Sequence, residues 1–412
     1  MSASQLIALA AVTLLQDQPV SAHGINLFST PIALCRGAVV VVSVEDHDPP
    51  SDRVRTVIRV GSQRAVVEER TLIDDYHTQP SVGIDPLGRI HVAYNMHNMP
   101  WQYAVGREPC VDALEFRGDP INEAQLREVA EHNRTPFPGG GHAAIPGNQV
   151  TYPAFFNDRN GDLYVTYRYA VRPERAWLDR AFAAGIARLN AASGEWSAVG
   201  GSAEESRPFA WEPGWTVYPP RLWFDARNAL HATWTWREKQ AGPDTTHPSY
   251  AVRRSGSDEF TRADATSYAL PIRLADTGGI ESPAIGGRVY AITSVTTQGS
   301  TPLVVLAPVG GERVLMAFDS VQRQWRSQGP SPYGASSVLC DDDGTCWAYA
   351  SGPRVMIRKP GSQTWQTVYE GQGYCDPKPL HDRQTGRHLL HITRCDQRAV
   401  SVLEFDARPP RS

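Results

Sequence analysis

Apolar and polar positions alternate with a period of two along most of the chain, and a helical period is rare. The alternating runs are short and rich in Val, Ile, Thr, Tyr and Trp. Each follows a turn of Asp, Gly or Asn, which supplies the positive φ or the Asx hydrogen bond that a tight reversal needs. One unit recurs: DPLGRIHVAY from Asp85, NDRNGDLYVTYRY from Asn157, FDARNALHATWTW from Phe224. Weaker copies are CRGAVVVVSVED from Cys35, IGGRVYAITSV from Ile285, CDDDGTCWAYAS from Cys340 and HDRQTGRHLLHIT from His381. Seven copies, about 40 to 75 residues apart, predict an all-β chain: a seven-bladed β-propeller in which radial repetition leaves only short, protected edges. A β-sandwich with a second domain is the competing architecture. Helical patterning is confined to residues 122–132 and 174–189, which lie between repeats and read as insertions. Residues 136–147 (PFPGGGHAAIPG) read as a loop.

The 412 residues carry 40 Lys+Arg against 44 Asp+Glu, a formal charge of −4, which gives no broad basic footprint for nucleic acid. Beyond the N-terminus no run approaches the ~20 apolar residues of a membrane span. Residues 6–15 (LIALAAVTLL) have the length of a leader h-region, and Val20-Ser21-Ala22 offers a small-residue cleavage site, although no Lys or Arg precedes the run. The expectation is a leader over residues 1–22, one propeller over 23–412, and a secreted or periplasmic, monomeric protein. The six cysteines, an even number, agree with an oxidising compartment. Cys340 and Cys346 flank a turn and can bridge it; Cys375 with Cys395 and Cys35 with Cys110 are the simplest remaining pairs among fifteen connectivities. No CxxC or HxxxH spacing suggests zinc, and no cofactor is required. The acidic turn 341–343 offers a place for a structural calcium ion, though such turns lack a full set of oxygen ligands.

The hairpin repeat places side chains in space. Residues equidistant from a turn emerge at the same end of a blade. His77 and His97 flank the turn at Pro86-Leu87, and Tyr152 and Arg168 flank the turn at Arg159-Asn160. Tyr218 and Trp236, with Arg221 and Arg237 close by, flank the next. Tyr and Trp faces suit a pyranose, Arg pairs with a carboxylate, and His and Tyr move protons. That set fits β-elimination at a uronic acid: a cation neutralises the carboxylate, a base removes the C5 proton, and an acid protonates the departing O4. His91 and His231 read as structural, Tyr167 and Tyr169 as blade packing, and Trp223 and Trp234 as inter-blade core.

The segments DDYHTQPSVGIDPLGRIHVAYNMHNMPWQY from Asp74, VTYPAFFNDRNGDLYVTYRY from Val150 and YPPRLWFDARNALHATWTWRE from Tyr218 resemble the seven-bladed propeller polysaccharide lyases of the BNR-repeat superfamily, the ulvan and rhamnose–glucuronate lyases. The twenty-residue His77–His97 and sixteen-residue Tyr152–Arg168 separations match that family's catalytic spacing. The resemblance implies that Tyr152 or a histidine acts as base and acid, and that Arg168, with a histidine, neutralises the uronate carboxylate. Tyr152 is the favoured proton-transfer residue, assisted by His77 and His97; exchanging these roles fits equally well. A phenol, with a reference pKa near ~10, serves as a base only beside a cation. Tyr218, Arg221, Trp236 and Arg237 are expected to bind substrate, an acidic polysaccharide or oligosaccharide. A sialidase-like hydrolase and a non-catalytic sugar-binding propeller are the rival functions; the first needs an acidic pair that the rim does not offer.

Overall fold

In the computed structural model, the residues described are 11–21, 27–46, 54–71, 77–111, 113–117, 145–147, 149–171, 182–200, 207–238, 247–280, 289–383 and 385–406. Their strands fall into seven antiparallel sets of four, each entered by its inner strand. Blade 1 holds Ile32–Cys35, Ala38–Asp46, Val54–Val60 and Gln63–Thr71. Blade 2 holds Ser81–Ile84, Arg89–Ala93, Tyr103–Pro109 and Leu114–Phe116. Blade 3 holds Val150–Asn157, Leu163–Ala170, Phe182–Asn190 and Glu195–Ala198. Blade 4 holds Arg221–Phe224, Leu230–Glu238, His247–Arg253 and Phe260–Thr261. Blade 5 holds Val289–Gln298, Thr301–Pro308, Val314–Asp319 and Gln324–Pro330. Blade 6 holds Ser337–Cys340, Cys346–Ala350 and Gly352–Arg358. The long strand Gln366–Asp382 closes blade 6 with its first half and opens blade 7 with its second. Arg387–Arg394 and Ala399–Asp406 follow, and Ala11–Pro19 pairs antiparallel with the latter as the outer strand.

The recurring turn has a physical cause. The Asp85 carboxylate accepts the backbone N–H groups of Leu87 and Arg89 at 3.0 and 2.8 Å. Asp158 does the same for Asn160 and Asp162 (2.8 and 2.9 Å), and Asp225 for Arg227 and Ala229 (2.9 and 2.8 Å). Three residues after each Asp the chain turns through a positive φ, at Gly88, Gly161 and Asn228, which Gly and Asn adopt at least cost. A hairpin is thus specified within five residues, and the alternating strands beyond it bury one face on each neighbouring blade.

Those faces make seven hydrophobic clusters among the described residues, one between each pair of neighbours around the ring. Ile58 meets Val92 between blades 1 and 2, and Trp101 meets Tyr167 between blades 2 and 3. Ile186 and Trp234 share the next, then Tyr250 and Ile292, Val305 and Val338, and Trp347 and Leu390. Ile32 and Val41 of blade 1 pack with Leu389 and Val402 of blade 7, which closes the circle. Tyr167, Tyr169 and Trp234 are buried as expected. The cysteines pair as the simplest scheme has it, Cys35–Cys110, Cys340–Cys346 and Cys375–Cys395.

Two expectations change. The described part of the second helical candidate, residues 182–189, lies in Phe182–Asn190, the third strand of blade 3, paired in register with Leu163–Ala170. Its Ala-rich run favours helix locally, but burial between two strands and two neighbouring blades overrides propensity. The first helical candidate lies outside the described residues, as do residues 136–144 of the expected loop. In blade 5 the repeat is out of phase: the run after Ile285 forms the inner strand Val289–Gln298, and the hairpin turn is at Gly299. Ala11–Pro19, within the stretch expected as a leader, pairs at the edge of blade 7 with two register breaks and with Val12 and Leu14 in solvent.

Candidate active site

Every inner strand runs in the same sense, so the connections before inner strands and the turns after second strands share one rim. His77 precedes the inner strand of blade 2, and His97 follows its second strand. Their rings stack with centroids 3.8 Å apart and planes at 8°. His97 opens a short strand, His97–Met99, that leaves blade 2 and pairs with the inner strand of blade 3, His97 opposite Thr151. That crossover brings two blades together at the site.

Tyr152 sits at a register break in the inner strand of blade 3, with φ of +59°. A left-handed tyrosine is uncommon and marks backbone held in place by its surroundings. Its ring lies 5.1 Å from that of His77. The Arg168 guanidinium carbon lies 5.0 Å from the Tyr152 ring centroid, 5.0 Å from Phe182 and 5.9 Å from Tyr218. One of its terminal nitrogens donates to Asn98 Oδ1 at 3.1 Å, and the same oxygen accepts from Thr151 Oγ1 at 2.9 Å. Thr151 Oγ1 in turn accepts from the Asn98 backbone N–H at 2.9 Å. The guanidinium is therefore held between two aromatic faces and anchored at one corner. Tyr152 and Arg168 are buried and the two histidines half-buried. The four residues named from the sequence meet in one place.

The four expected substrate contacts divide. Tyr218 is 6.1 Å from Tyr152, and its hydroxyl accepts from Arg237 at 3.3 Å, so both belong to the cluster. Trp236 does not. It is fully buried, faces the core between blades 3 and 4, and donates Nε1–H to Ser249 Oγ at 3.0 Å. Arg237, the next residue, points to the opposite face of the strand, which follows from the two-residue period. Arg221 donates to the main-chain carbonyl of Leu27, which also accepts from Lys378 Nζ at 2.8 Å. Burial pushes the Arg221 guanidinium down to about 10.

Two contributors had no signal, or only a faint one, in the sequence. Phe28 arrives on the strap that leads into blade 1. Its ring lies 4.7 Å from Tyr152 and stacks on Tyr218 at 5.6 Å and 10°. Nothing in its neighbourhood of sequence marks it. Asn98, the anchor of Arg168, sits beside His97 in a left-handed conformation, and that adjacency was the available clue.

Three histidines outside this cluster are held in structural relays. His91 bridges Asp85 (3.2 Å) and the Tyr103 hydroxyl. His231 bridges Asp225 (3.4 Å) and Tyr250 (2.5 Å). His381 bridges Asp341 (3.2 Å) and Tyr349 (2.6 Å). Asp341, His381 and His388 offer one donor atom each within 4.8 Å of one another, but both His381 nitrogens are engaged in the relay that recurs in blades 2 and 4. The acidic turn does not converge on a calcium site. Asp342 pairs with Arg159, Asp343 accepts from Thr345 at 2.8 and 3.0 Å, and Asp341 accepts from Trp347 Nε1 at 2.7 Å. Those carboxylates are turned to protein donors rather than gathered into a shell of six to eight oxygens.

Seven four-stranded blades with a polar cluster on one rim define a β-propeller with a site where blades 2, 3 and 4 meet. A family model described as a BNR repeat-containing family member matches residues 59–327, and the chain belongs to that family. No curated protein matches the chain. Among solved structures it is similar to the polysaccharide lyase Uly1, at 13% identity and a TM-score of 0.66 over 98% of this chain and 100% of that one. It is also similar to an ulvan lyase bound to -[GlcA(1-4)Rha3S]-, at 10% identity and a TM-score of 0.59 over 95% of each chain. The BP39L lectin from Burkholderia pseudomallei matches at 13% identity and a TM-score of 0.50 over 95% of this chain and 98% of that one. At such identities the likeness is one of fold.

Proposed function

We propose that the protein is an exported polysaccharide lyase that cleaves beside glucuronate or iduronate by β-elimination and leaves an unsaturated uronic acid. The observation that carries this reading is the convergence of His77, His97, Tyr152 and Arg168 around one half-buried spot. A lectin of this fold needs aromatic faces but has no use for a stacked histidine pair beside a tyrosine and an anchored arginine. The likeness in fold to two lyases points the same way.

In this reading Arg168, with a histidine, holds the uronate carboxylate. Neutralising that charge makes the C5 proton removable, because negative charge builds on the same carboxyl as the proton leaves. Tyr152, with the cation a phenolate base requires beside its ring, exchanges protons with C5 and O4, assisted by His77 and His97. Tyr218 and Arg237 line the approach. The chemistry asks for no metal or cofactor. Three disulfides fit an oxidising compartment, and the proposed route there is an N-terminal leader over residues 1–22, whose removal takes Ala11–Pro19 away and leaves Ala399–Asp406 at the edge of blade 7.

The experiment is direct. Incubation with uronate polysaccharides is followed by absorbance near ~235 nm, where the C4–C5 double bond made by general acid–base elimination absorbs. A rise supports the lyase. Release of reducing ends without that rise means a hydrolase, and binding with neither means a lectin.

A further inference from the structure

One blade beyond the catalytic cluster, between blades 5 and 6, the same rim holds a cavity of about 720 Å³. Its walls include Pro308, Val309, Glu312, Arg313, Pro330 and Tyr333. The topology fixes which face this is. Tyr333 lies in the connection before the inner strand Ser337–Cys340, as Tyr218 precedes Arg221–Phe224. Val309 and Glu312 follow the second strand Thr301–Pro308, as His97 follows Arg89–Ala93. The cavity therefore opens on the face that carries the catalytic side chains.

Its construction is specific. Ser331 is buried; its N–H donates to the Arg313 carbonyl at 2.7 Å and its hydroxyl to the Ala335 carbonyl at 2.8 Å. Arg313 Nη1 donates to the Gly334 carbonyl at 2.9 Å, while its Nε–H is buried without a partner among the described residues. These bonds hold Tyr333 out. It is 65% exposed and left-handed, with φ of +48°. A left-handed backbone costs a tyrosine more than a glycine, so its presence here motivates a search for a use. Arg354 lies over one face of its ring, 4.4 Å from the centroid, and pairs with Glu370, which leaves the opposite face for a ligand. The free face of Tyr333 suits a sugar ring, and Arg313, the guanidinium on the cavity wall, suits its anionic group, with the Glu312 carboxylate on the same lining turned to its hydroxyls. Val309, 42% exposed and also on the lining, adds apolar surface.

We propose that this cavity is a second, non-catalytic binding site for the acidic polysaccharide, with a sugar ring on the free face of Tyr333 and its anionic group toward Arg313. The identity of the occupant rests on the lyase reading; the existence of the site does not. Because the cavity shares the rim with Tyr218 but none of its lining residues belongs to the catalytic cluster, the proposal has a long polymer engage both and a short oligosaccharide at Tyr152 and Arg168 engage only the cluster.

The test uses Tyr333→Gly, which removes the ring and suits the left-handed backbone, so the fold is not strained. Tyr333→Trp serves as the restoring variant. Electrophoresis runs through gels containing ulvan, hyaluronan, polygalacturonate or neutral dextran. The wild type and Tyr333→Trp are expected to be retarded by an acidic polymer and not by dextran, and Tyr333→Gly to be retarded several-fold less. On the polymer that the wild type cleaves, Tyr333→Gly is expected to raise KM about fivefold, roughly 1 kcal/mol of binding. Turnover of a uronate tetrasaccharide should stay within about twofold. The site is overturned if Tyr333→Gly migrates and turns over as the wild type does, if no acidic gel retards the wild type, or if tetrasaccharide turnover falls as far as polymer turnover. If the wild type gives no 235 nm product on any polymer, the lyase reading fails, and the gels still decide the site.

Discussion

At the scale of single residues, hairpin symmetry did most of the work. A residue's distance from an Asp-turn gives its height on the blade, and its parity gives its face. Distance placed His77 with His97 and Tyr152 with Arg168. Parity puts Trp236 in step with Tyr169, in the core, and leaves Arg237 on the rim. The two kinds of residue should fail differently. Tyr152→Phe, His97→Ala and Arg168→Ala should each lower kcat by about 100-fold or more, the range of a lost acid–base or charge-neutralising group, while the melting temperature holds. Trp236→Ala should cost about 3–5 kcal/mol of stability, as large-to-small changes in a filled core do, with KM unchanged in the fraction that stays folded. A Tyr152→Phe enzyme with near-normal turnover would remove Tyr152 from the proton transfer. Asn98 tests the anchor. Asn98→Asp puts a carboxylate against Arg168, where it competes with the substrate's own, and should raise KM for the uronate polymer more than Asn98→Ala does. Equal effects from the two variants would mean that Asn98 acts through the strand crossover rather than through the guanidinium.

At the scale of elements, what was legible had a local cause, and what was not had a distant one. The Asp–x–x–Gly or Asn turn writes its hydrogen bonds within five residues, so the hairpins at Asp85, Asp158 and Asp225 could be read directly. Blade 5 has Gly299 but no such Asp at its turn, and there the phase was lost. Phe182–Asn190 is a strand because of what packs on it, which no local pattern contains. The strap is the clearest case. It meets Tyr152 and Tyr218 through Phe28, and the Arg221 and Lys378 head groups through the Leu27 carbonyl. Those four residues belong to blades 3, 4 and 7, so only the closed ring defines the contact. Phe28 then acts as a positioning residue that backs the Tyr152 ring. Phe28→Ala should lower kcat about tenfold through misplacement of the phenol, and Phe28→Tyr should restore most of it. A drop in melting temperature of the same extent in both variants, with kcat following it, would reduce Phe28 to packing.

At the scale of the whole molecule, ring closure concentrates buried polar groups that respond to acid. His391 lies on the second strand of blade 7 and is fully buried. Burial, with Lys378 nearby, pushes it down to about 3. His388 on the same strand is pushed down to about 3 by burial and by His381. A histidine kept neutral in the fold but free to take a proton near its ordinary value of about 6.5 when unfolded gives a definite sign. Its contribution is present above pH 6.5. Between about 6.5 and 3 the unfolded chain binds more protons, so stability falls as the pH falls. For His391 alone the loss between pH 7 and pH 4 is about 3 kcal/mol, from roughly one proton per molecule over that window. The carboxylates of Asp85, Asp225 and Asp341, held below their usual range by histidine partners despite burial, add their losses at lower pH. Urea titrations at pH 7, 5.5 and 4 should show the wild type losing stability steeply across this range. His391→Leu, which keeps an apolar side chain of similar size and removes the proton site, should show a slope shallower by about one proton. Parallel slopes in the two proteins would mean that His391 takes its proton without leaving the fold, and that blade 7 opens to water well before the ring comes apart.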